Sequence, residues 1–148
     1  MKEKELEFQI TKNKILSITD MDWYIDRIDA IYVRNSEMSK NGDYSIYIKQ
    51  GSEIVELYFR TQDEILIARE YKKLCEAIKT INPFFDNSVI SPLLINYSNL
   101  KSVELKSKLM ESKIALFFDN HQLLIKGNKK IYNLILKKLE DVNSIAEV

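Results

Sequence analysis

Apolar and polar residues alternate with a period of two along much of this chain, and twice the alternation gives way to a period near 3.6. Leu6, Phe8 and Ile10 alternate with polar neighbours, residues 11–14 read as a turn, and Leu16-Ser17-Ile18 restarts the alternation. Ile25, Ile28, Ile31 and Val33 predict a short strand, a turn and a longer strand over residues 23–33. Two hairpins follow, one over residues 44–60 around Gln50-Gly51 and one over residues 113–126 around Asn120-His121. In the first, Tyr44, Ile46 and Ile48 share a face with Val55, Leu57 and Phe59; in the second, Ile114, Leu116 and Phe118 share a face with Leu123 and Ile125. Each hairpin runs into a helix with one apolar stripe, through Ile67, Tyr71, Leu74, Ile78 and Ile81 and then through Ile131, Ile135, Leu139 and Val142. Thr61 and Glu64 have the spacing of a capping box. Asn82-Pro83 stops the first helix, because proline disfavours helix in the residue before it, and Asn128 is placed to cap the second. The last six residues are expected to fray.

This pattern predicts the α+β class: antiparallel sheet with two related strand-strand-helix units, helices packed on one face. Residues 1–82 form a β-rich unit ending in a helix. Residues 83–148 form a shorter unit packed on it, or the two are one domain. The stretch 83–99 is too apolar for a free linker and is expected to cross the core, partly as a strand. Ile95, Leu100, Val103 and Leu105 repeat Trp23, Ile28, Ile31 and Val33 at an offset of 72 residues, so the units read as an internal repeat. Ile28-x-x-Ile31-x-Val33, the Gly51 hairpin and the Thr61/Glu64 helix start give residues 14–82 a known outline. It resembles that of bacterial pleckstrin-homology-like domains, with roughly six strands and a capped C-terminal helix. The resemblance implies a scaffold that binds proteins or lipid headgroups, and it carries no catalytic residue across.

Charge narrows the partners. Lysine plus arginine and aspartate plus glutamate both number 22, so there is no bulk attraction to nucleic acid or anionic membranes. The distribution is uneven: residues 101–138 hold nine lysines against three acids. Only four basic residues are arginine, which disfavours bidentate phosphate reading. The single cysteine permits no intrachain disulfide and points to a reducing compartment. The N-terminus lacks the apolar core of a signal peptide. No run reaches the ~20 apolar residues of a membrane-spanning helix. A cytoplasmic protein with no membrane partner is expected.

Candidate chemistry is sparse. One cysteine and one histidine cannot make a clustered zinc site, so Cys75 reads as a small buried hydrophobe and His121 as a turn residue. Asp20, Asp22, Asp26 and Asp29 are the densest acidic cluster, but their spacing does not match a calcium loop. Gly42, Gly51 and Gly127 form no phosphate-cradling motif. No cofactor and no enzymatic activity are expected; a metal-dependent enzyme using the aspartates is the second alternative.

Parity directs attention to tyrosine. If the aliphatic residues face the helices, then Tyr32, Tyr47 and Tyr58 face away from them, and Phe117 and Leu124 do the same in the second unit. That face is either a second buried layer, an exposed surface for a partner protein, or a stacking platform for single-stranded nucleic acid. The favoured expectation is a non-enzymatic protein-binding module, an inhibitor or adaptor such as a mobile-element protein that blocks a host defence complex. It would bind through Tyr32, Tyr47, Tyr58 and Phe117. The first alternative is nucleic-acid binding through Lys101, Lys106, Lys108, Lys129 and Lys130.

Overall fold

The computed structural model describes residues 5–36, 40–90, 92–107, 112–119 and 121–146, with Tyr58, Ser107 and Ala146 described by backbone alone. In chain order the elements are β1 (Phe8–Ile10), β2 (Ile15–Ile18), β3 (Met21–Tyr24), a 3-10 turn (Ile25–Arg27), β4 (Ala30–Asn35), β5 (Tyr44–Gln50) and β6 (Glu53–Thr61). Then come α1 (Glu64–Ile81), β7 (Phe85–Asp86), β8 (Leu93–Asn96), β9 (Leu100–Ser107), β10 (Ser112–Phe118), β11 (His121–Lys126) and α2 (Lys129–Ala146). The described strands form three antiparallel sheets, ordered β1-β2-β3, β6-β5-β4-β8-β7 and β11-β10-β9. The fold is therefore α+β, built on antiparallel sheet.

The central five-stranded sheet is apolar on both faces, and each face anchors a core. Ile31, Ile46, Ile48 and Leu94 meet the α1 stripe of Ile67, Tyr71, Leu74 and Ile78, together with Leu16, Ile18 and Trp23 of the first small sheet. The Tyr71 hydroxyl crosses this core and donates to the Ile31 carbonyl at 2.7 Å, so its one polar atom is satisfied. On the other face Ala30, Tyr32, Tyr47, Leu93 and Ile95 meet Ile114, Leu116 and Phe118 of β10 and Ile135 and Leu139 of α2. Residues 85–96 supply β7 and β8 to the central sheet, with β8 pairing directly on β4. That sheet therefore draws on both sides of residue 82, and the second unit packs on the back of the first.

Two local features depart from the sequence pattern. Thr61 is still a strand residue, paired with Tyr44. The N-cap of α1 is instead Asp63, whose Oδ1 accepts from the amides of Ile65 (2.9 Å) and Leu66 (3.2 Å). Thr61 Oγ1 accepts from the Asp63 amide, and Glu64 accepts from the Tyr44 hydroxyl at 2.7 Å rather than folding back as a capping box. The second is at the C-terminus, where α2 runs past the last stripe residue, Val142, to Ala146; of the six residues expected to fray, 147 and 148 lie outside the described residues.

The Asp26–Asp29 stretch is held by side-chain amides from the end of β8, the strand paired on β4, and from the turn that follows it. Asn96 Nδ2 donates to the Ile28 carbonyl at 2.9 Å, and Asn99 Nδ2 donates to the Asp26 carbonyl at 2.9 Å and to Asp29 Oδ1 at 3.2 Å. Asn96 is fully buried, and these bonds satisfy an amide that would be costly to leave unpaired.

Candidate functional site

Parity places Tyr32 and Tyr47 away from α1, as expected, but the surface they occupy is not open. They oppose each other across β4 and β5 and stack with centroids 5.6 Å apart and planes 12° from parallel. Arg34 lies over the pair, its guanidinium carbon 4.4 Å from the Tyr47 centroid. Tyr32 is 9% and Tyr47 5% exposed. The second unit covers them, so the expected partner surface of Tyr32 and Tyr47 is corrected to an internal layer. The reason is two-sided burial: Ala30, Leu93 and Ile95 on this face join Ile114, Leu116 and Phe118 of the second unit in a second core. The side chain of Tyr58 lies outside the described residues.

The open sheet face belongs to the second unit. The pairing of β9, β10 and β11 aligns its outward side chains in rows. Lys113 stands directly opposite Lys106 on one neighbour and Lys126 on the other. The next row is Glu104, Ala115 and Leu124, and the third is Ser102, Phe117 and Gln122. Ala115 is buried; Lys113 and Phe117 are half-buried, and the other six are exposed. Strands lie about 4.8 Å apart. Like charges directly opposite in a sheet destabilise it by roughly 0.2–1 kcal/mol per pair. The row contains two such pairs, and among the described residues none of its lysines forms an ion pair.

The same end of the sheet carries the start of α2. The chain turns off Lys126 through Gly127, whose amide donates to the Ser112 carbonyl at 3.2 Å. A Cβ on Gly127 would lie 2.6 Å from Ile114 Cδ1, so glycine is what lets the chain fold this closely over the inner face. Asn128 Oδ1 caps the helix by accepting from the Ile131 amide at 3.0 Å. Lys129 and Lys130 then occupy the first turn, which has no acidic residue. Cations there oppose the helix dipole by about 0.3–1 kcal/mol each.

Lys106, Lys113 and Lys126 thus line up in one row across the outer face, and Lys129 and Lys130 follow Lys126 at the start of α2. Lys101 is not among them, since it lies at the far end of β9, 4.0 Å from Asp119. Lys108 lies outside the described residues. Sequence reasoning missed Lys113 and Lys126, whose signal is the hairpin register itself.

No protein-family model, curated protein or solved structure matches this chain.

The remaining candidates are structural. Asp29 Oδ2 accepts from the Gly51 amide at 2.9 Å, and Lys49 Nζ donates to the Gly51 carbonyl, so both charges hold the β5–β6 turn. Burial lowers the Lys49 pKa and the nearby Asp29 carboxylate partly opposes that shift. Asp26 accepts from Asn82 Nδ2 at 2.9 Å, and Asp22 accepts from Ser17 Oγ. Asp22, Asp26 and Asp29 are spent on separate contacts, and among the described residues no group of three His, Cys, Asp or Glu, Asp20 included, is placed to hold a metal ion. His121 lies 3.6 Å from where a Gly51 side chain would start, in a cleft of about 440 Å³ with Asp29, Asn99, Lys101 and Asp119. Three carboxylates (Asp26, Asp29 and Asp119) stand there against two cations (Arg27 and Lys101), so the cleft does not gather anions. Cys75 is fully buried and burial pushes its thiol up to about 12, the environment of an inert thiol. No described helix is long and apolar enough to cross a membrane.

Proposed function

We propose that this chain is a binding module that holds an anionic partner on the outer face of the β9–β10–β11 sheet. The observation that carries this reading is the row Lys106–Lys113–Lys126, three cations in register across three strands, none of them in an ion pair among the described residues, with the carboxylate of Glu104 one row away. Lys129 and Lys130 add positive charge where the helix itself would favour negative. Local rules broken together at one place are what a functional site leaves in an otherwise consistent fold. The pleckstrin-homology-like outline of residues 14–82 suits the same role, as a scaffold that binds rather than reacts. The contact surface of this proposal is therefore the lysine row, in place of the buried Tyr32 and Tyr47, the protein-binding surface expected of an adaptor or inhibitor.

The test is retention of the full chain on a heparin matrix. Wild type should bind at low salt and elute as salt rises, since an anion held by lysines is released by competing ions. The triple variant K106Q/K113Q/K126Q should elute markedly earlier with an unchanged melting temperature or a higher one. A variant retained like the wild type, or a wild type that never binds, refutes the proposal.

A further inference from the structure

We infer that the anionic partner is single-stranded nucleic acid, an assignment that rests on the reading above. The open face carries its charges and its aromatic ring at a distance from each other. Lys113, Ala115 and Phe117 follow one another outward along β10, so the ring stands about 13 Å from the lysine row. A ligand that satisfies both must carry negative charge along a backbone and present flat apolar groups beside it. Single-stranded nucleic acid does this, whereas a duplex hides its base faces in the stack.

The neighbours of Phe117 agree. Ser102 and Gln122 flank it on the adjacent strands, both exposed. Their hydroxyl and amide groups can donate to or accept from base edges on either side of the ring. The basic residues are lysines, point charges that grip a backbone without reading it bidentately. Binding tolerant of sequence follows. The middle row argues against the other anionic surfaces. Glu104 and the exposed Leu124 lie there on either side of Ala115, so the face offers no continuous basic plane to an acidic protein or an anionic bilayer laid flat on it. A strand anchored at the lysine row and at Phe117 can bridge over the middle row.

The experiment is fluorescence anisotropy on the full chain, with labelled oligothymidylate, a duplex of equal length, heparin, polyglutamate and phosphatidylserine vesicles as probes or competitors. Oligothymidylate should bind tighter than duplex. F117L, which keeps an apolar side chain but removes the ring, should weaken it by about 5- to 150-fold, the range of one lost stacking contact, and F117Y should restore it. K106Q/K113Q/K126Q should lower the magnitude of the log–log salt slope by about 2, at roughly 0.7 per phosphate contact. The wild-type preference for single strand over duplex needs no variant, so a misfolded F117L leaves the assignment testable. Equal affinity for oligothymidylate, duplex and heparin with F117L unchanged overturns it while leaving the anionic-partner reading standing. Preference for vesicles or polyglutamate also overturns it. Failure of every anion at low salt overturns both.

Discussion

Replacing Lys113 with glutamate should stabilise the unliganded protein and abolish its binding of anions. Lys113 occupies the centre strand and opposes a lysine on each side. The substitution converts two like-charge pairs into two opposite-charge pairs. Charges about 6 Å apart in water interact by about 0.7 kcal/mol before screening, and measured cross-strand pairs span about 0.2–1 kcal/mol. Removing two repulsions and adding two attractions changes four such terms, a gain of about 1–3 kcal/mol at low salt. In a chain of 148 residues that raises the melting temperature by about 2–12 °C. Urea unfolding at low salt should show the gain as a higher midpoint at unchanged slope. It should shrink toward zero near 1 M salt, where the screening length is about 3 Å. Lys113→Gln should fall between the two. If Lys113→Glu lowers stability at low salt, the row is not under electrostatic tension and the main reason for a site there disappears.

Three further outcomes follow from the cores. Tyr47→Ala should cost about 3–5 kcal/mol in urea unfolding, as large aromatic truncations in cores do. A cycle with Tyr32→Ala should show about 0.5–1.5 kcal/mol of coupling from the stacked pair, whereas a loss below about 1 kcal/mol would mean the second unit does not cover this face. Gly127→Ala should cost about 1–3 kcal/mol through its 2.6 Å approach to Ile114, with partial recovery in Ile114→Val; no recovery would place the strain elsewhere. Burial raises the Cys75 thiol from 9.0 to about 12, so the native state holds a proton that the unfolded chain releases first. Stability should be insensitive to this group below pH 9 and fall between pH 9 and about 12, by up to about 1.4 kcal/mol per pH unit. Cys75→Ala should remove that slope, and a native thiol that reacts freely with an aromatic disulfide near neutral pH would contradict the burial.

Periodicity made the fold largely legible. The 72-residue offset that aligns Trp23 with Ile95 and Ile31 with Val103 maps β3 onto β8 and β4 onto β9. It does not say that β8 leaves the β3-like position and pairs on β4, because a strand's pattern records its buried faces and not its neighbour. The tyrosines show the same limit. Alternation fixes which way Tyr32 and Tyr47 point, and only the packing of the second unit decides whether that side is wet. The lysine row failed for a narrower reason. With the second turn at Asn120-His121, Lys113 would oppose Asn128. The turn falls one residue earlier, with Phe118 opposite His121, and this brings Lys113 against Lys126. A one-residue error in a turn shifts the pairing by two, which preserves the face but scrambles the row. The Asp63 cap was missed because Thr61, the better capping-box match, is held in β6 by its pairing with Tyr44.

An open sheet face needs polar residues in any case, since lysines also deter edge and face pairing between copies. That need does not explain this row. Solubility is served as well by alternating signs, and opposite charges in register would add stability where like charges remove it. The first unit shows how the chain treats a lysine on the equivalent face when it is covered. Counted back from each hairpin's last pair, Ser45, Tyr47 and Lys49 correspond to Lys113, Ala115 and Phe117. Lys49 is buried beneath the second unit, with its ammonium group on the Gly51 carbonyl and its charge answered by Asp29. Where the chain supplies its own cover, it supplies the counter-charge with it. In the second unit the lysine row has neither a covering unit nor an ion pair among the described residues, and one anionic partner laid across Lys106, Lys113 and Lys126 provides both.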